Sequence, residues 1–225
     1  MSETRLPFKA LLPITIPVLV AMLAALWLVR VYREHDATAI LLPDRIVRVL
    51  ADPKPLSDFA LVDHDGRAFD RSTLRGKWSF IFFGFTHCPD ICPTTLAVLA
   101  RVRAHLAERA PVDDAISLVF ISVDPQRDSA SELASYVQHF DPRIRGVTGD
   151  PEQIANLAAQ LGAAYRVDVT PGSENYPVYH TTTLFLVDPD ARLHAVFTPP
   201  LDAAAISTRF DGLRRIATGI TPVGT

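Results

Sequence analysis

The sequence predicts an α/β fold built on a mostly parallel central sheet. Three observations carry that expectation. Two predominantly apolar runs of strand length, WSFIFFGF at 78–85 and ISLVFISV at 116–123, read as strands buried on both faces. A segment of helical period follows each run. Turn signals then bracket a pair of shorter strands near the C-terminal end, before a last helix.

The first element is an apolar segment. Residues 10–29 carry no charge, and at ~1.5 Å per residue twenty residues span ~30 Å, the thickness of a bilayer's hydrocarbon core. Trp27 and Tyr32 stand at one end, with Arg30 and Arg33 among them, the residue types that favour a membrane interface. Pro13 and Pro17 weaken its first half but are tolerated in membrane helices. A cleaved signal peptide is the competing reading. Against it, the run exceeds the usual ~7–15-residue signal core. The expected organisation is a short tail and transmembrane helix over 1–33, a tether over 34–55 containing Pro43, Pro53 and Pro55, and a globular domain over 56–225. The tail of nine residues leaves no room for a transit peptide. The expected home is therefore a bacterial inner membrane, with one membrane pass and the domain in the periplasm.

Within the domain, strands at 59–62 and 67–69 flank His64-Asp65-Gly66, a turn in which Asp-Gly suits positive φ. The strand at 78–85 leads into a helix over 94–109, with Pro93 in its first turn and Leu96, Leu99, Val102 and Leu106 at helical spacing. The strand at 116–123 leads into a helix over 129–140, capped by Ser129 or Ser131. A short strand at 143–148 precedes a helix over 151–161, with Pro151 at its start and Gly162 just past its end. A hairpin over 182–197 turns at 188–191, and a helix over 201–218 closes the domain.

Composition narrows the function. Of 225 residues, 48% are hydrophobic and 21% charged, with a net charge of −3, so nothing marks a nucleic-acid-binding surface. Only two cysteines are present, Cys88 and Cys92, too few and too close together for a secreted disulfide scaffold. They stand in FTHCPDICP at 85–93, where the first central strand gives way to a helix. A helix N-terminus stabilises a thiolate, the form that binds metal or attacks a disulfide. A cysteine pair at that point selects the thioredoxin-like version of the α/β plan.

The familiar exchange motif has two residues between its cysteines; here there are three. In a helical turn, positions i and i+4 share a face, so both sulfurs can point at one ligand. Two thiolates favour soft Cu(I) over hard cations, and structural zinc would need ligands that no second cysteine pair supplies. The pair alone serves copper binding or thiol–disulfide exchange equally well. His180 moves the balance. It precedes the strand at 182–187, whose entering loop faces the cysteine turn in thioredoxin-like folds, and it completes an S₂N set suited to Cu(I). His87 adjoins Cys88 but reads as a surface residue. His35, His64, His105, His139 and His194 read as solvated. Asp124, Arg127 and Asp128, in the loop after the second central strand, read as capping and ion-pair residues.

These residues resemble the Sco/SenC family, copper chaperones for cytochrome c oxidase assembly. The matching pieces are FFGFTHCPDICP at 82–93, VDPQRD at 123–128, and the histidine before LFLVDPD at 184–190. The resemblance runs from about residue 56 to about residue 213. It implies a thioredoxin-like domain behind one membrane anchor, and copper held by Cys88, Cys92 and His180. It also implies delivery to the oxidase subunit carrying the Cu(A) site, with other periplasmic copper or thiol carriers as further partners. The alternative is a thiol–disulfide oxidoreductase, in which Cys88 and Cys92 reduce cysteines of the oxidase subunit before metallation. One position departs from the family pattern: Tyr179 stands where an aspartate commonly precedes the ligand histidine. A carboxylate there would orient the imidazole and raise its basicity.

Overall fold

In a computed structural model the described residues are 46–109, 115–169 and 176–217, together with Met22, Leu23 and Leu26. The rest of the apolar run at 10–29 lies outside them. Among the described residues no helix is long and apolar enough to cross a membrane.

Eight strands form the main sheet, in the order β1-β10-β9-β4-β5-β6-β2-β3. In chain order they are β1 (Val47–Pro55), β2 (Ala60–Asp63), β3 (Ala68–Asp70), β4 (Trp78–Gly84), β5 (Ile116–Ser122), β6 (Ile144–Thr148), β9 (Leu184–Val187) and β10 (Arg192–Phe197). The others, β7 (Tyr165–Val167) and β8 (Val178–His180), make a separate two-stranded ribbon. The helices are α1 (Arg71–Leu74), α2 (Ile91–Ala107), α3 (Ala130–Gln138), α4 (Pro151–Leu161) and α5 (Ala203–Ala217).

Strands β4, β5 and β6 run parallel; β9 pairs antiparallel with β4, and β10 antiparallel with β9. Helix α2 crosses over from β4 to β5, which gives the thioredoxin-like plan that the alternating apolar strands and helices predict. Every residue of β4 is buried because both faces of the sheet are covered. Phe80 and Phe82 pack with Leu96, Leu99 and Val102 of α2 and Phe210 of α5, while Ile81 and Phe83 pack with Ile154 and Leu157 of α4.

Local signals set the element ends. Asp70 and Ser129 close reciprocal capping boxes at α1 and α3. Asp150 caps α4, whose first residue is Pro151, and Gly162 ends it in the left-handed conformation at φ 77°. Helix α2 begins three residues earlier than its hydrophobic period suggests, so Cys92 lies in its first turn.

Two segments differ from expectation. Residues 47–55, within the stretch the sequence assigns to a tether, are strand β1, paired along β10. Leu56 follows, buried, its N–H donating to the Ala191 carbonyl. Prolines suggest a spacer there, but an edge strand tolerates them because one side of its backbone needs no partner. The ribbon β7–β8 has no apolar run to announce it; Tyr165 pairs opposite His180 and Val167 opposite Val178, and Tyr165 and Val178 pack against the core.

Candidate metal centre

The sheet order brings the site together. Phe82 of β4 stands opposite Leu184 of β9 in antiparallel register, so the chain leaving β4 meets the chain entering β9 at one sheet edge. Parallel pairing of Gly84 with Ser122 brings the end of β5 to that edge as well. The cysteine turn, the His180 segment and the loop carrying Asp124 through Asp128 thereby become neighbours.

Cys88 lies in the turn before α2, with its N–H donating to the Phe85 carbonyl at 3.3 Å. The Cys92 N–H, in the first turn of α2, donates to Cys88 Sγ at 3.5 Å. The two sulfurs therefore converge through a turn and a helix N-terminus, rather than along one helical face as their spacing suggests. Both cysteines are free thiols; Cys88 is half-buried and Cys92 fully buried. Gly84 ends β4 beneath them, and its lack of a side chain leaves room for the Cys92 sulfur.

His180 ends β8, and its ring packs edge-on against Phe82 and Phe85 at 5.7 and 5.9 Å. Its Nδ1 lies 3.0 Å from the Thr181 carbonyl. A carbonyl only accepts, so Nδ1 carries the proton and Nε2 keeps its lone pair. That Nε2 lies 3.4 Å from Cys92 Sγ. The donor atoms of Cys88, Cys92 and His180 all lie within 4.8 Å of one another, the one such cluster of three among the described residues.

Electrostatics suit a cation. Burial lowers the His180 pKa, an effect partly offset by the Thr181 and Phe83 carbonyls, so the ring is a neutral ligand near pH 7. Burial pushes the Cys92 thiol well above its ordinary range, and the Cys88 sulfur and Asp128 carboxylate act in the same direction. In the metal-free chain Cys92 therefore keeps its proton, which it can donate to His180 Nε2. A cation that replaces this proton finds two sulfurs and one imidazole nitrogen, a donor set that selects a soft ion of low coordination number. Hard cations, which want oxygen, are disfavoured.

Tyr179 is exposed, under the Arg166 guanidinium at 4.7 Å. The Thr181 carbonyl, and not the Tyr179 side chain, orients the imidazole. His87 is 54% exposed, with Nδ1 3.0 Å from Thr86 Oγ1, as its surface assignment expects. His139 is exposed and His105 half-buried, and His35 lies outside the described residues. Two histidines expected in solvent are not there. His64 is 10% exposed and accepts the Gly146 N–H at 2.9 Å, because the hairpin turn folds back on β6. His194 is 14% exposed, edge-on to Trp78 at 5.1 Å and 3.7 Å from Asp188.

The loop after β5 is more closely tied to the site than capping alone requires. Asp128, fully buried, accepts the Thr86 N–H at 3.0 Å, the Thr86 hydroxyl at 2.6 Å and the Ser122 hydroxyl at 2.6 Å. Thr86 is two residues before Cys88, so this carboxylate anchors the cysteine turn. Thr86 and Gly84 carry no metal-binding chemistry, and only the folded contacts expose their part.

A protein-family model described as SCO1/SenC matches residues 50–214. The chain is 38% identical over 158 residues to the mitochondrial SCO2 homolog of Bos taurus, covering 70% of this chain and 58% of that protein. It thus spans little more than half of that relative's length. Among solved structures, Bradyrhizobium japonicum ScoI with copper bound shares 32% identity at a TM-score of 0.62, over 72% of this chain and 98% of that one. Yeast Sco1 with copper bound shares 30% at a TM-score of 0.64, over 76% and 92%.

Proposed function

Because this chain belongs to the SCO1/SenC family, we propose that it is a membrane-anchored copper chaperone, carrying one copper ion on Cys88, Cys92 and His180 to the Cu(A) site of a cytochrome c oxidase subunit. The observation that carries the reading is the convergence of three soft and borderline donors within 4.8 Å of one another. Copper is cargo here. Two thiolates and one imidazole hold Cu(I) firmly but leave space for an incoming thiolate of the acceptor, so the ion passes by ligand exchange without net oxidation or reduction. The uncharged run at 10–29 supplies the anchor, with the domain in the periplasm of a bacterial inner membrane, where oxidase and copper or thiol carriers are reached.

The test uses the reduced full chain in detergent. One Cu(I) per chain is expected, and His180→Ala should weaken binding at least about tenfold in competition with a Cu(I) chelator. Copper affinity unchanged by His180→Ala, or no stoichiometric binding, overturns the chaperone reading.

The different exposure of the two thiols favours a second reading, thiol–disulfide reduction. The Cys88 thiolate attacks a substrate disulfide, forming a mixed disulfide and releasing one substrate thiol. Cys92 then attacks the Cys88 sulfur, releasing the second substrate thiol and leaving a Cys88–Cys92 disulfide. The pair gives up two electrons, and an external dithiol restores it. This chemistry does not need His180, so the same variant separates the two readings.

A further inference from the structure

The VDPQRD segment at 123–128 holds both halves of the site, each by its own carboxylate. Asp128 binds Thr86 and so the cysteine turn. Asp124, 1% exposed, binds the other half: the Tyr176 hydroxyl donates to its Oδ1 at 2.7 Å, and Arg127 Nε donates to its Oδ2. The Arg127 guanidinium lies over the Tyr176 ring at 3.8 Å and within 5.8 Å of the Phe85 ring. Phe85 in turn lies edge-on to His180. Tyr176 is buried and stands four residues before His180, at the entry to β8.

These contacts answer a mechanical problem. His180 ends a ribbon of two three-residue strands that belongs to no larger sheet. So short a ribbon has little stability of its own. Its imidazole must nevertheless stay within bonding distance of a cation shared with two sulfurs on another element. A buried, charge-assisted hydrogen bond and a guanidinium stacked on an aromatic ring are strong enough to fix such a segment.

We propose that Asp124, Arg127 and Tyr176 form a latch that positions His180, setting the distance between imidazole and sulfurs and hence how firmly the carried copper is held. None of the three touches the ion; they act through His180. The inference rests on the copper-site reading, and its test separates the two.

The test is a double-mutant cycle in Cu(I) affinity on the reduced full chain, combining Tyr176→Phe with His180→Ala. Tyr176→Phe keeps the ring and its stacking but removes the hydrogen bond to Asp124. With His180 present, it should weaken Cu(I) binding about tenfold, the scale of losing an outer-sphere partner. In the His180→Ala background the further change should not exceed about twofold, the tolerance of independent sites. Equal losses in both backgrounds, or no loss in either, overturn the latch while leaving the copper site standing. If His180→Ala alone has no effect, the three-ligand reading falls and the latch falls with it. Should Tyr176→Phe fail to fold, Arg127→Lys, which keeps the charge but not the planar stack, runs the same cycle.

Discussion

A methyl group on Gly84 would stand 2.7 Å from the sulfur of Cys92, closer than side-chain carbons approach any heavy atom. It would also meet the Phe120 ring at 2.7 and 3.2 Å, so two buried neighbours would have to yield at once. Gly84→Ala is therefore expected to destabilise the domain by about 1–3 kcal/mol through overpacking, and to displace the Cys92 sulfur. Denaturant unfolding reads the first effect and Cu(I) competition the second. A variant with both quantities unchanged would show that this wall does not hold the sulfur.

The two thiols should react in a fixed order. Cys88 is half-buried, whereas Cys92 is fully buried with its thiol pKa raised by that burial, so less thiolate is available at Cys92. Limiting iodoacetamide at pH 8 on the reduced chain should label Cys88 first. Mass spectrometry locates the adduct, and modification beginning at Cys92 contradicts the assignment.

Copper affinity should rise with pH through the neutral range. Because the Cys92 pKa is raised, its thiol is protonated throughout that range, and binding must release the proton. The Cys92 proton by itself contributes about a tenfold gain in affinity per pH unit. Chelator competition at pH 6, 7 and 8 measures the slope. A flat profile means that Cys92 does not give up a proton to the metal.

The metal-free chain should also gain stability as pH rises towards neutrality. Burial lowers the pKa of His180, and it lowers that of His194 despite the nearby Asp188. The unfolded chain therefore binds more protons than the native one below the ordinary histidine value of 6.5, so stability is complete above that pH and falls as pH drops below it. Urea midpoints between pH 5 and pH 7 should increase, and His194→Gln should flatten the trend. An unchanged trend in that variant removes His194 from the account.

Asp128→Ala should cost about 1–3 kcal/mol for each buried donor it leaves unpaired, which here includes the Ser122 hydroxyl. The Thr86 N–H and hydroxyl lose the same partner, so the cysteine turn should loosen. Hydrogen exchange at the amides of 86–88 reads that loosening directly. Protection equal to that of the parent chain would show that the turn holds itself.

Several elements are legible in the chain because their causes are local. The apolar run of β4 needs only burial on both faces, and its residues state that need one after another. Pro151 and Gly162 mark the two ends of α4 through their own backbone preferences. Strand β1 is not legible in the same way because its partner β10 lies far along the chain, and the ribbon β7–β8 is not because its two three-residue strands carry no clear period. The burial of His64 and His194 is not legible for a related reason: it comes from β6 and from Trp78 and not from their neighbours in sequence.

By itself the sequence determined that a paired cysteine turn would follow a buried central strand and open a helix, since burial, proline placement and helix electrostatics act over a few residues. Motif order singled out His180 from seven histidines. The tertiary structure decided that its Nε2 faces Cys92 Sγ across 88 positions of chain, with Tyr176 bound to Asp124 across 52. The physical reason is sheet order. Antiparallel pairing of β9 beside β4 brings the entry of one strand to the exit of the other, and no run of neighbouring residues encodes that meeting.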